Sequence, residues 1–166
     1  MLRRHAWTAT GLLVLGGTMA MVPVAATAAS AGTHGVAALH CPKQSVITKA
    51  AGRTFKGPNK NNGGTAACIY TDAAGNSLNV IVSAPDESRS KWVSSTPGDI
   101  GKPAQAVSGI GSAAFSTTTF GHAEVAVYQS SSKGFAVTLD PANEAAVTAA
   151  DLALVKAVAH AVAKNG

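Results

Sequence analysis

His122 and Glu124 are the two residues whose types and spacing come nearest to those of a catalytic or metal-binding pair. They alternate along a segment with strand propensity, so a strand would place both side chains on one face of a sheet. An imidazole beside a carboxylate can exchange protons or hold a metal ion. The sequence contains neither His-Glu-x-x-His nor Pro-Cys-x-x-Cys, patterns that mark zinc enzymes. We therefore expect a solvent-facing polar pair, and we predict no catalytic residue and no metal ligand.

The segment Gly109-x-Gly111-x-x-Ala114 matches the spacing of a dinucleotide-binding fingerprint. That fingerprint lies between a strand and a helix, and an acidic residue follows about 20 positions later. Here residues 115–120 have strand propensity, and residues 130–137 contain no acid. Gly-x-Ser-x-Gly, the pattern around a hydrolase nucleophile, is also missing. The segment therefore predicts a turn that leads into a strand, and we predict no cofactor.

Residues 1–31 have the three parts of a secretory signal peptide. Arg3 and Arg4 give a positive start, Gly11–Val24 is apolar, and two small-x-small cleavage sites follow. A protein that folds after export meets an oxidising environment. We expect a secreted protein, either free in the medium or associated with the cell wall.

Cys41 and Cys68 form an even pair, which predicts a disulfide in an exported protein. Lipidation of Cys41 and metal binding are the alternatives. A lipidated cysteine needs Leu-Ala-Gly or a close variant immediately before it, whereas Ala38-Leu39-His40 precede Cys41. A structural zinc site would need a second pair of ligands, which the sequence does not supply.

Basic residues outnumber acidic ones but are dispersed along the chain. Of 13 Lys and Arg residues, two lie in the signal peptide, so 11 bases against 8 acids give the mature chain a net charge of +3. No run of four or more bases occurs, whereas a nucleic-acid groove needs clustered charge. No segment after the signal peptide is apolar enough to span a membrane. We expect an unidentified protein or envelope component as partner, and no nucleic acid.

The segment Lys56–Thr65 contains no apolar side chain other than Pro58 and predicts a polar loop between the two cysteines. Such a loop is a candidate interaction surface. Its candidate contact residues are Lys56, Asn59, Lys60, Asn61 and Asn62.

The remaining elements follow from periodicity, glycines and prolines. After a short leader (32–40), a single domain covers residues 41–166. We predict helices from Pro42 to Gly52, from Asp86 to Val93 and after the N-cap Thr148, and strands at 66–71, 77–83, 113–117, 123–129 and 134–139. This order predicts an α+β fold: an antiparallel sheet of about five strands with helices on one side, a long C-terminal helix and one disulfide.

Several of these features together resemble a group of actinobacterial exported domains. They are Cys41 at the start of the first helix, Ala67-Cys68-Ile69-Tyr70 on the first strand, Gly109–Phe115 before a strand, and the closing alanine-rich helix. Many members of that group are cell-envelope lipoproteins of unknown function. The resemblance implies an α+β fold with the same disulfide and carries over no catalytic residue. This chain differs from the lipoprotein members because it lacks the lipobox.

Two functions of different class are compatible with these features. The first is a secreted, non-enzymatic binding module, an inhibitor among its variants, that contacts its ligand through the sheet face or the polar loop. The alternative is a small extracellular hydrolase whose site is assembled only in the fold, with His122 and Glu124 as its central pair. A pocket that joins the pair to a hydroxyl would favour the hydrolase, and a flat polar surface would favour binding.

Overall fold

The structure is a computed structural model that describes residues 40–61 and 67–165. These residues form seven strands and three helices. The predicted signal peptide, all but the last residue of the predicted leader, and Asn62 lie outside these residues. The helices are α1 (Gln44–Ala51), α2 (Arg89–Asp99) and α3 (Ala149–Asn165), and a short 3-10 turn covers Ala142–Glu144. The strands are β1 (Phe55–Asn61), β2 (Ala67–Asp72), β3 (Ser77–Ser83), β4 (Gln105–Ala106), β5 (Ala113–Thr117), β6 (Ala123–Ser130) and β7 (Lys133–Asp140).

The strands form one antiparallel sheet in the order β1-β2-β3-β7-β6-β5-β4. Strands β1 to β3 form one meander and β4 to β7 a second one. The two meanders join at the centre, where β3 pairs with β7 along its whole length, from Ser77 opposite Asp140 to Ser83 opposite Gly134. The α+β class is confirmed. The prediction of about five strands is wrong, because it omitted the two edge strands, β1 and β4.

The segment that was predicted to be a polar loop starts as strand β1. Phe55 is fully buried and anchors the strand, which pairs with β2 around a register shift between Lys56 and Asn59. The segment consists of polar residues, Gly57 and Pro58, which have low strand propensity. The strand was therefore not predicted from the sequence. Lysines, a proline and an irregular register are also the features that keep an edge strand from pairing with other chains. The candidate contact residues other than Asn62 therefore lie on a sheet edge.

One face of the sheet, called the inner face here, packs against α1 and α3. Its fully buried side chains include Tyr70, Leu78, Val125, Val137 and Leu139, which alternate with outward-facing residues along the strands. From α3, the residues that complete this core are Val155, Val158, Ala159 and Val162. The long C-terminal helix is thus confirmed.

A disulfide joins Cys41 to Cys68, with their Cα atoms 5.6 Å apart, as predicted. Cys68 lies on the inner side of β2, so the bridge fixes the start of the domain to the sheet. The hydroxyl of Tyr70, two residues along β2, donates a hydrogen bond to the carbonyl of Pro42. Burial raises the pKa of Tyr70 to about 12. These two contacts on one strand hold the segment that leads into α1.

Helix α2 covers the opposite face, called the outer face here, so the prediction of helices on one side only is wrong. Trp92 packs against the rings of Phe115 and Tyr128, with centroids 5.8 and 5.5 Å away. Alternation turns these two residues away from the inner core of Val125 and Val127. The helix also starts and ends later than predicted. Ser88 caps it, and it runs past Pro97 to Asp99. Pro97 has no N–H to donate to the carbonyl of Val93, so the helix lacks one internal hydrogen bond there.

The turn before β5 holds two glycines with positive φ, Gly109 (77°) and Gly111 (59°). This turn leads into a strand, as predicted. Only Gly111 lies against other atoms: a Cβ there would be 2.6 Å from the carbonyl oxygen of Tyr128 and 2.7 Å from Cγ1 of Val127. We predict that Gly111→Ala lowers the free energy of unfolding by about 2 kcal/mol, because left-handed strain and a backbone clash add together.

Gly109→Ala is the matched control, since a Cβ there meets no atom within 4 Å. It should show the left-handed strain alone, about 1 kcal/mol. Urea denaturation of both variants measures the difference. Equal losses would mean that the close approach of Gly111 to β6 contributes nothing.

Candidate functional site

The outer face of the sheet is covered over only part of its width. Helix α2 packs on β5 and β6, whereas the outward-facing residues of β2, β3 and β7 are partly exposed. We call the outer side of β1, β2, β3 and β7 the open half. It combines apolar side chains, such as Ile69 and Ile81, with polar ones, such as Asn79 and Thr138. The result is an open sheet surface rather than an enclosed cleft.

A row of polar side chains runs from this surface to the adjoining end of β6. Nδ2 of Asn79 donates to Oδ2 of Asp140 at 2.8 Å and to Oγ1 of Thr138 at 3.4 Å. Thr138 lies directly opposite Glu124 in the β6–β7 register, and Oε2 of Glu124 is 3.2 Å from Nε2 of His122. We call these five residues the polar row. The prediction that His122 and Glu124 share a face is confirmed, but the pair is largely buried rather than solvent-facing, with its side chains 23% and 15% exposed. Their contact forms the β6 end of the row.

The His122–Glu124 pair lacks the surroundings of a nucleophilic site. Among the described residues, the hydrogen bonds of the His122 ring lead to Glu124 and to no hydroxyl group. The two best-formed cavities of that same part of the chain lie elsewhere and include neither residue. Within residues 40–61 and 67–165 there is also no group of three or more His, Cys, Asp or Glu side chains placed to hold a metal. The pair acts here as a fixed hydrogen-bonding unit.

Phe120 stands beside the polar row and is the large apolar side chain that the structure leaves most exposed, at 76%. Its ring centroid lies 6.4 Å from that of His122. Both Phe120 (φ 59°) and Gly121 (φ 78°) have positive φ, and the backbone N–H of His122 donates to the carbonyl of Thr119 at 3.4 Å. These are the features of a type I′ turn, in which Asn-Gly is the favoured pair. Phe120 therefore occupies a position where an aromatic residue costs free energy.

We predict that Phe120→Gly stabilises the fold by about 1 kcal/mol, because glycine adopts a positive φ without steric strain. The exposed ring contributes little burial to offset that strain. Thermal unfolding of the two proteins measures the shift. Phe120→Ala is the control: it removes the ring but keeps a Cβ, so it should not stabilise. A lower melting temperature for Phe120→Gly would show that the ring supports the fold.

Phe120 was not predicted as a site residue, because residues 115–120 as a group have strand propensity. The turn lies between two predicted strands and contains Phe-Gly where Asn-Gly is expected. That mismatch is the signal that could have identified it.

Two cavities lie away from the polar row. One, of about 280 Å³, lies between α2 and the turn before β5, and Nε of Arg89 donates there to the carbonyl of Ser112 at 2.9 Å. The other, of about 310 Å³, lies beside Asp72 and Arg53, which are 3.2 Å apart. Burial alone would raise the pKa of Asp72, but hydrogen bonds from Asn76 and Ala74 and the Arg53 charge together lower it.

Comparisons of the chain with protein-family models, with curated proteins and with solved structures give no match. Among the described residues, none of the helices has the length and apolar character needed to cross a membrane.

Proposed function

We propose that this chain is a secreted, non-enzymatic binding module that contacts its ligand with the open half of the outer sheet face. The observation that carries the proposal is the polar row, which crosses that surface beside the exposed ring of Phe120. A surface of this kind offers a ligand several hydrogen-bonding groups and one aromatic contact. Aromatic residues concentrate binding energy at such surfaces.

Strand β1 extends the same surface. Lys56 lies opposite Thr71 and Asn59 opposite Ile69, so both residues lie on the outer side of the edge strand. Lys60 lies opposite the inward-facing Cys68 and therefore belongs to the other side. Of the candidate contact residues whose side chains the structure describes, Lys56 and Asn59 are the ones that fit this proposal.

Secretion is supported by the disulfide and by the predicted signal peptide, because disulfides persist in oxidising compartments. Association with the cell wall is part of the proposal, since a cell-envelope component is among the expected partners.

The hydrolase alternative rests on the contact between His122 and Glu124. A His–carboxylate pair orients a base toward a nucleophile in many hydrolases, but here the neighbouring polar groups of the row are an amide, a threonine and a second carboxylate. Two threonines, Thr138 and Thr117, lie opposite Glu124, but among the described residues neither hydroxyl is hydrogen-bonded to His122. This arrangement supports binding better than nucleophilic attack.

Thr138→Arg tests the binding surface, because it places a large charged side chain at the centre of the row. Ala157→Arg is the matched control, since it adds the same side chain at an exposed position on α3. The purified, oxidised proteins are incubated with culture medium and with cell-envelope extract, and retained components are identified. We expect a component that wild type and Ala157→Arg retain and that Thr138→Arg loses. Equal retention by all three, or an activity that His122→Ala abolishes in a folded protein, would contradict the proposal.

A further inference from the structure

We infer that the open half binds an uncharged, hydroxyl-rich polysaccharide, with Phe120 stacking on a sugar ring and the polar row bonding to the sugar hydroxyl groups. This inference rests on the proposed binding function and names the class of its ligand.

The hydrogen-bonding atoms of the row favour a ligand that supplies donors. Asn79 uses its amide N–H groups within the row. The bonds of the row use Nδ2 of Asn79, Oδ2 of Asp140 and Oε2 of Glu124. Among the described residues, the other oxygen of each of these three side chains has no hydrogen-bond partner. Ionised carboxylates and amide oxygens accept hydrogen bonds. A polysaccharide presents hydroxyl donors along its whole length, so it can satisfy several of these acceptors together.

The charges of the row disfavour an anionic ligand. Its two acidic members, Glu124 and Asp140, would repel phosphate or uronate groups. The lysine of the open half, Lys56, lies at the distant β1 edge. The two carboxylates of the row therefore favour an uncharged polymer over a nucleic acid or a phosphate-rich one.

The surroundings of Phe120 favour stacking over insertion into a protein pocket. A protein–protein anchor is usually enclosed by further apolar side chains at the centre of the interface. The His122 ring and the backbone at Gly101 lie near Phe120, and a Cβ at Gly101 would be 2.8 Å from the phenyl ring. The ring is 76% exposed and lies next to the polar row. The C–H groups of a sugar ring can pack on that surface while its hydroxyls reach the row.

The size of the site suits a short stretch of a linear polymer. Asn79 on β3 and Glu124 on β6 are separated by two strand spacings, about 10 Å, because neighbouring strands lie about 4.8 Å apart. Phe120 extends the site beyond the β6 end of the row. Consecutive sugar units can therefore contact Asn79, Glu124 and Phe120 in turn.

The test measures binding of the purified full chain with its disulfide intact to insoluble cellulose, chitin and purified cell-wall polysaccharide, and calorimetric titration with cellohexaose and the N-acetylglucosamine hexamer. We expect binding to at least one of these probes. Phe120→Ala and Phe120→Leu should both weaken it about tenfold, whereas Phe120→Trp should preserve it, because stacking needs a ring. Asn79→Ala should weaken it as well. His160→Ala, on the exposed side of α3, is the control that should change nothing.

Several outcomes would overturn the inference. They are no binding to any of the five probes, binding that Phe120→Ala leaves unchanged, or a Thr138→Arg-sensitive ligand that proves to be a protein. The last result would leave the proposed binding function intact. Cleavage of a bound polysaccharide that depends on His122 would instead overturn the non-enzymatic function while confirming the ligand class.

Discussion

Trp92→Ala is expected to lower the free energy of unfolding by about 4 kcal/mol, the largest effect of any substitution considered for this chain. Replacing a buried aromatic residue by alanine typically costs 3–5 kcal/mol, because apolar burial is lost and a cavity remains. Trp92 is only 9% exposed and is the sole large apolar side chain that α2 buries. Its removal takes away the contacts with both Phe115 and Tyr128.

The loss should be concentrated on the outer face. Hydrogen exchange of Trp92→Ala should show reduced protection in α2 and in β5, with α1 and α3 much less affected, because those helices pack on the inner core. Trp92→Phe is the control that keeps a ring between Phe115 and Tyr128, and it should lose clearly less. A loss below 1 kcal/mol for Trp92→Ala would show that α2 is held by other contacts.

Reduction of the Cys41–Cys68 bridge is expected to lower the free energy of unfolding by about 3 kcal/mol. The two cysteines are 27 positions apart, and a cross-link over a loop of this length restricts the unfolded chain by roughly that amount. The bridge also holds the segment before α1 against β2, so its loss should loosen the contact of Tyr70 with Pro42.

Urea denaturation with and without dithiothreitol measures this effect, after confirmation that the bridge is reduced. The Cys41→Ala/Cys68→Ala double variant is the control. Its midpoint should resemble that of the reduced wild type and should not respond to the reductant. An unchanged wild-type midpoint after complete reduction would show that the bridge does not stabilise the fold.

The five strands of the predicted sheet lie within two residues of the observed ones, because their apolar alternation is strong. The two strands that were not predicted, β1 and β4, lack this alternation. Strand β1 is built from lysine, asparagine, glycine and proline, and its pairing with β2 overrides that low propensity. Strand β4 has only two residues, too few for any periodicity.

The position of α2 could have been read from β6. Along Ala123–Tyr128, the residues of both parities are apolar except Glu124, and five of the six are buried. A strand that is apolar on both sides needs cover on both faces of the sheet. The disulfide and the capping of α3, where Asp151 accepts from Thr148 at 2.9 Å, follow from local rules and were predicted correctly.

The site itself was predictable only in part. Strand alternation was sufficient to place His122 and Glu124 on one face. The partners that extend them into a row, Asn79, Thr138 and Asp140, come from strands far away in sequence, and their proximity depends on the β3–β7 pairing. Periodicity carries no information about which strands become neighbours across such distances.

The central pairing of β3 with β7 also determines the order in which the chain can fold. Ser83 pairs with Gly134, 51 positions later, and Ser77 pairs with Asp140, 63 positions later. Closing loops of this length is slow compared with forming the local hairpins β2–β3 and β6–β7. Until β7 has been synthesised, β3 is a bare edge that carries Val80 and Ile81, and such an edge can pair with other chains. A chain that is released N-terminus first therefore passes through an aggregation-prone stage, which ends when residues 134–140 pair with β3.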